Sequence, residues 1–175
     1  LLGEVLGLER IMLYARFERD VTREEREKFR DLVKKRGARV PLQYLLGKTE
    51  FYGRSFCVTP SVLVPRQETE LVVDACLERL PDECGGMWAA DVCTGSGAIG
   101  LTLAAERPEL PVVATDSSEE ALQVARENAE ELGCRERVKL LQCDLAEGVG
   151  EALPDGRHGV ELLACNPPYV PSEKI

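Results

Sequence analysis

Only one histidine, His158, occurs in 175 residues, and no two of the seven cysteines form a Cys-x-x-Cys pair. Structural zinc sites draw their ligands from such pairs and from closely spaced histidines, so this composition offers none. The cysteines (Cys57, Cys76, Cys84, Cys93, Cys134, Cys143 and Cys165) are odd in number and irregularly spaced. That argues against a disulfide framework and suits small buried thiols in a reducing compartment. No apolar run approaches the roughly 20 residues of a membrane helix, and the start lacks the pattern of a signal peptide. A cytoplasmic location with no membrane partner is expected. Positive charge is scarce too: 22 Lys and Arg face 31 Asp and Glu, for a net charge of -9, and only nine residues are aromatic. Nucleic-acid binding needs clustered cations to neutralise phosphates, so this balance favours a protein or small-molecule partner.

What is present is the makings of a packed core. Apolar residues make up 44 % of the chain, and no repeat or low-complexity segment interrupts it. The first forty-odd residues read as helical. Gly7 suits a C-cap after Leu1, Leu2, Val5 and Leu6, and Leu8, Ile11, Met12 and Ala15 recur at helical spacing. Thr22 and Glu25 fit a capping box, opening a helix that would turn Phe29, Leu32 and Val33 inward and end at Gly37. Pro41 suits the first turn of another short helix, closed by Gly47. Residues 49–58 then change to aromatic and β-favouring residues around Gly53, as in a short hairpin or an extended connector.

Beyond the hairpin, helices and strands alternate: a helix over 70–80, strands over 87–92, 112–115, 138–142 and 160–164, and helices over 101–106 and 118–132. Such alternation predicts an α/β, doubly wound parallel sheet. The organisation expected is a small helical domain over 1–47, a hairpin connector over 48–60, and an α/β domain over 61–175. Because the chain begins with Leu1 rather than Met and stops at Ile175 soon after a motif, both ends are expected to be clipped.

After the first α/β strand come Asp91, Cys93, Thr94, Gly95, Ser96 and Gly97, with Gly100 completing G-x-G-x-x-G. Asp116 stands at the tip of the next strand, 19 residues beyond Gly97. Strand, glycine loop, helix and acid in register predict an adenosine-containing cofactor whose ribose hydroxyls Asp116 would accept. A pyrophosphate of a dinucleotide or the methionine moiety of S-adenosylmethionine could follow the loop. Asp91 favours the second, since an acid there suits a sulfonium and an ammonium. Against this stands the plainer possibility of a tight turn packed through glycines, with Asp116 capping the next helix.

Asn166, Pro167, Pro168 and Tyr169 follow the fourth strand of the sheet, across the point where strand order reverses. Placed there, Asn-Pro-Pro-Tyr resembles the motif of amino methyltransferases acting on amide or exocyclic amine nitrogens. A second segment narrows the resemblance. The run Val64-Pro65-Arg66-Gln67-Glu68-Thr69-Glu70, preceded by Phe51-Tyr52-Gly53, is similar to the Pro-Arg-Pro-Glu-Thr-Glu connector of the HemK-like release-factor glutamine methyltransferases, with Gln67 in place of the second proline. The likeness spans almost the whole chain, including Leu42-Gln43-Tyr44-Leu45-Leu46-Gly47.

This resemblance implies a Rossmann-like class I methyltransferase sheet preceded by a helical docking domain, with the later strands of the sheet outside this chain. It implies S-adenosyl-L-methionine as cofactor and, as partners, peptide chain release factors whose Gly-Gly-Gln motif supplies the acceptor glutamine. The Asn166 side-chain carbonyl and the backbone carbonyl after it would accept the two N–H bonds of the planar amide, between Pro167, Pro168 and a stacking Tyr169. Asp91, Cys93, Thr94, Gly95, Ser96, Gly97 and Asp116 would line the cofactor, with Asp144, Leu145 and Asn166. Leu145 stands where many relatives offer an aromatic ring, and Asp144 could equally cap the next helical turn. An amide nitrogen is a poor nucleophile, its lone pair being delocalised as the roughly 18–20 kcal/mol barrier to peptide rotation shows, so orientation matters more than a strong base. Two rival functions use the same motifs: a nucleic-acid amino methyltransferase, which needs a basic face, and an inactive cofactor-binding module.

Overall fold

The computed structural model describes residues 1–168 and divides into two compact units, Leu1–Lys48 and the chain from Thr49 onward. In the first unit, α1 (Leu2–Leu6), α2 (Arg10–Ala15), α3 (Arg23–Gly37) and α4 (Leu42–Leu46) follow one another, and α3 packs against α1 and α4. The expected caps form. Gly7 and Gly47 close α1 and α4 in the left-handed conformation, and Thr22 accepts from Glu25 N at 3.2 Å while Glu25 accepts from Thr22 N at 2.9 Å. One expectation fails. Phe29 and Leu32 are half-buried, but Val33 is 46 % exposed, because so small a unit covers only a narrow stripe of α3.

The second unit opens with a hairpin, β1 (Lys48–Phe51) and β2 (Arg54–Cys57). Its two-residue turn has φ of 51° at Tyr52 and 68° at Gly53. Positive φ at both positions defines the type I′ turn whose twist matches that of paired strands. Phe51 and Phe56 are buried and meet edge to face, 5.9 Å between ring centres. Next comes α5 (Gln67–Leu77). The hairpin is fastened to it, since Tyr52 N donates to Glu70 Oε1 at 2.8 Å and Tyr52 Oη donates to Asp74 Oδ1 at 2.8 Å.

Helix α5 begins three residues before the apolar spacing predicted, because its first turn is wholly polar and periodicity is silent there. Gln67 is its first residue, after Arg66 at φ -108° and ψ 148°. Proline suits that position: its fixed φ is helical, its missing N–H is not used within the helix, and Arg66 already has the extended backbone that precedes proline. Gln67→Pro is therefore expected to raise stability by about 0.4–1 kcal/mol, seen as a higher thermal midpoint. A lower midpoint would mean that the Gln67 N–H has an essential partner.

The rest is a doubly wound α/β domain: β3 (Ala89–Val92), α6 (Ala98–Glu106), β4 (Val112–Asp116), α7 (Glu119–Glu131), β5 (Val138–Gln142), α8 (Val149–Ala152) and β6 (Leu162–Cys165). All four strands are parallel, in the order β5-β4-β3-β6. Alternation divides their side chains. Ala89, Val112, Ala114, Val138 and Ala164 face a core with α5 and α6, whereas Ala90 and Val113 pack with Val149 and Leu153 of the α8 segment. Helix α6 is buried through Ala104 and apolar nearly all round, as a helix enclosed by protein must be. Among the described residues no helix is long and apolar enough to cross a membrane.

Candidate functional site

Strand order reverses between β3 and β6, and a cleft of about 490 Å3 opens at the carboxyl ends of these strands. This is where open α/β sheets bind ligands, and the volume suits a small molecule. Cys93, Gly95, Asp116, Asp144, Leu145, Asn166, Pro167 and Pro168 all line it, with Leu63 and Ala121 adding apolar wall. A smaller hollow of about 60 Å3 shares Leu63, Cys93, Gly95 and Asn166 with it and reaches Thr94, Ser96, Arg66 and Thr69. Tyr169 lies outside the described residues. A larger depression of about 680 Å3, around Trp88, Arg157 and Glu161, opens at the opposite, amino edge of the sheet.

Asp91 and Gly97 do not line either hollow; they build the loop from beneath. Gly97 is the N-cap of α6, at φ 84°, and a Cβ there would come within 2.6 Å of Leu101. Having no side chain, it leaves the first N–H groups of the helix uncapped. Asp91 takes over from β3: its Oδ2 accepts from Gly100 N at 2.8 Å and from Thr94 Oγ1 at 2.5 Å. Gly100 is glycine because a Cβ there would stand 2.9 Å from Asp91. The third glycine of the motif thus brings α6 against the sheet closely enough for a strand carboxylate to cap it.

Burial holds the Asp91 carboxyl above the usual range, at about 6, despite the two hydrogen bonds that lower it; Asp116 nearby adds repulsion. Its Oδ1 is buried without a hydrogen-bond partner among the described residues. A group whose folded pKa is raised adds stability below its unfolded pKa and loses it as pH rises through the folded value. From 3.8 to about 6, that is on the order of 3 kcal/mol. With no ligand bound, the stability difference between Asp91→Asn and wild type is expected to move toward the variant by that amount between about pH 4 and pH 8. A flat difference in chemical unfolding would contradict it.

Asp116 ends β4 and serves the loop from the side. Its Oδ2 accepts from Gly95 N at 2.9 Å and its Oδ1 from Ser118 N at 3.0 Å. Asp116 does not itself cap α7, whose N-cap is Ser118; it shapes the entrance to that helix, and since a carboxylate has about four acceptor sites, room is left for two further hydrogen bonds. Leu145 is 56 % exposed on the cleft, at φ 49°, and its carbonyl is held by Thr115 Oγ1 at 2.6 Å. No side chain caps α8, whose N-cap is Gly148, so Asp144 does not take that part. Cys93 and Cys165 end neighbouring strands, and burial beside the Cys165 thiol pushes the Cys93 thiol up to about 11, keeping it protonated. Among the described residues no cluster of three His, Cys, Asp or Glu side chains could hold a metal.

Asn166, half-buried just after β6, lines the cleft, and its Nδ2 donates to Thr69 Oγ1 of α5 at 3.4 Å. Behind the glycine loop, fully buried Asn128 of α7 accepts from Cys57 N at 2.6 Å and donates to Cys57 O at 3.0 Å and Ser96 O at 2.9 Å. One side chain thus ties the end of the hairpin to the loop. Motif reading gave Thr69 no part beyond its place in the connector run and passed over Asn128. The available signal for Asn128 was a polar residue on the apolar stripe Ala121, Leu122, Val124, Ala125 and Ala129.

A cleft of this make, at the reversal of a parallel sheet, defines a Rossmann-like α/β domain. The chain belongs to the methyltransferase small domain family, whose model matches residues 67–175, while that of the PrmC N-terminal domain matches residues 1–47. Similar curated proteins include the release factor glutamine methyltransferase of Moorella thermoacetica, 46 % identical over 100 % of this chain and 59 % of that protein. That of Chlorobaculum tepidum is 43 % identical over 98 % and 59 %. The chain thus spans 59 % of the length of these relatives. Among solved structures, the N-terminal domain of human METTL16 matches with a TM-score of 0.51 and 20 % identity, over 67 % of this chain and 47 % of that one, a likeness of fold alone.

Proposed function

We propose that the complete protein, in the cytoplasm, transfers a methyl group from S-adenosylmethionine to the side-chain amide nitrogen of the glutamine in the Gly-Gly-Gln motif of peptide chain release factors. The observation that carries the reading is the meeting of Asn166 and Asp116 in one cleft, beside a connector whose sequence resembles that of the release-factor enzymes. The names of the similar curated proteins support the acceptor. The cleft's size, its apolar walls at Leu63 and Leu145, and the spare acceptor sites of Asp116 suit an adenosine cofactor. When bound, that cofactor supplies an electrophilic methyl group on a sulfonium.

The protein's own residues then have an orienting task. Asn166 Oδ1 accepts one N–H of the acceptor amide and the backbone carbonyl after it the other, which turns the nitrogen's lone pair toward the methyl group. Both acceptors also stabilise positive charge as it develops on nitrogen. The proton is released after transfer, so no strong base is called for. Thr94, Ser96 and Cys93 line the loop side of the site, Pro167 and Pro168 stiffen the chain beyond Asn166, and Tyr169 would stack on the amide. The helical unit over 1–47 would dock the release factor, 48–60 connect, and the remainder hold the cofactor.

The test is to incubate the complete protein with methyl-labelled cofactor and, in parallel, a release factor, the same factor with its motif Gln replaced by Ala, and double-stranded DNA. Label in the first alone is expected. Label in DNA would move the Asn-Pro-Pro-Tyr site to a nucleobase, and label in none would leave a binding module.

A further inference from the structure

Asn166 can accept a hydrogen bond from its target only if its amide faces the right way. The two orientations of an asparagine amide have nearly the same shape but opposite chemistry: one turns Oδ1 to the cleft, the other an NH2 group that repels an incoming N–H. Neither Pro167 nor Pro168 has an N–H with which to anchor Oδ1. Thr69 does face this amide, on its nitrogen side.

We propose that Thr69 is a positioning residue that holds the Asn166 amide with Nδ2 turned to α5 and Oδ1 turned to the acceptor. The inference rests on the methyl-transfer reading above and adds a residue to it. Thr69 sits in the first turn of α5, two residues after Gln67, and its backbone N donates to Arg66 O at 3.0 Å. In this contact the Thr69 hydroxyl oxygen is the acceptor, with two lone pairs to offer Asn166 Nδ2. At 3.4 Å the bond is long, as such bonds are before a substrate closes the site. Thr69 and Asn166 also line the same 60 Å3 hollow, so the pair stands beside the reacting position without filling it.

The position of Thr69 is itself secured. Glu70, the next residue, holds the Tyr52 backbone, and Arg54 of the same hairpin pairs with Glu106 of α6 at 2.6 Å. Hairpin, α5 and α6 thus brace the first turn of α5. This gives the connector a chemical part: it carries the hydroxyl that sets the orientation of the acceptor-binding asparagine.

The test is a double-mutant cycle in the complete protein, run on whichever acceptor the wild type labels. Thr69→Val keeps the shape and removes the oxygen. It is expected to lower kcat about tenfold, the size of one lost hydrogen bond, with the Kd for cofactor changed less than about twofold. Thr69→Ser, which keeps the oxygen, restores most of the rate. In Asn166→Ala the Thr69→Val change has no further effect, since its route is gone. A Thr69→Val enzyme as fast as wild type overturns the proposal. So does a loss that persists in Asn166→Ala or that serine fails to restore, each of which would mark a general structural role. An acceptor other than glutamine would overturn the glutamine reading separately, while the cycle still decides on Thr69.

Discussion

Asn166→Ala in the complete protein is expected to lower methyl transfer to the release-factor glutamine by about 10²–10³-fold, mainly in kcat, while cofactor affinity falls by less than about tenfold. The expectation follows from where the residue stands. It follows β6 beside the point where strand order reverses, lines the cleft with Asp116, and carries the side-chain carbonyl that would orient the acceptor. Alanine removes the acceptor but leaves the sheet register of Leu162–Cys165 intact. Steady-state kinetics with a direct cofactor titration separates the two effects. A variant that loses cofactor binding and rate together would mean that Asn166 serves the cofactor and not the acceptor.

Asn128→Ala is expected to cost about 3 kcal/mol of stability, a fall of roughly 6–12 °C in thermal midpoint. The side chain is fully buried and makes three hydrogen bonds to backbone groups, two at Cys57 and one at Ser96. Alanine would leave those groups in an apolar interior without water or partner, the costly way to lose a hydrogen bond. Because Ser96 belongs to the glycine loop, cofactor affinity is expected to fall as well. A midpoint within about 2 °C of wild type would mean that the loop and hairpin find other partners.

Much of the fold was legible because its signals are local. The Thr22 capping box, the glycine caps of α1 and α4, the Tyr52-Gly53 turn and the strand Val138–Gln142 each depend on a few adjacent residues with fixed preferences. Elements without apolar periodicity were not legible. The polar first turn of α5, the single turn at Arg135–Arg137 and α8 arise from tertiary packing that no short window reveals. Motif spacing placed Asp116, Gly95 and Asn166 near one another before the structure did so. It could not tell a residue that faces the cleft from one that holds the loop beneath it. Asp91 is expected to face a cationic ligand, and the structure adds a second task that no motif announced, since its Oδ2 caps α6. Thr69 and Asn128 act across 97 and 71 residues of chain, a distance at which sequence pattern carries no geometry.

The most direct measurement is fragmentation mass spectrometry of a release factor after incubation with the complete protein and S-adenosylmethionine, to locate the added methyl group. The expected result is one methyl on the side-chain amide of the Gly-Gly-Gln glutamine, absent with Asn166→Ala. A methyl on another residue, or an unmodified factor alongside methylated nucleic acid, would contradict the account.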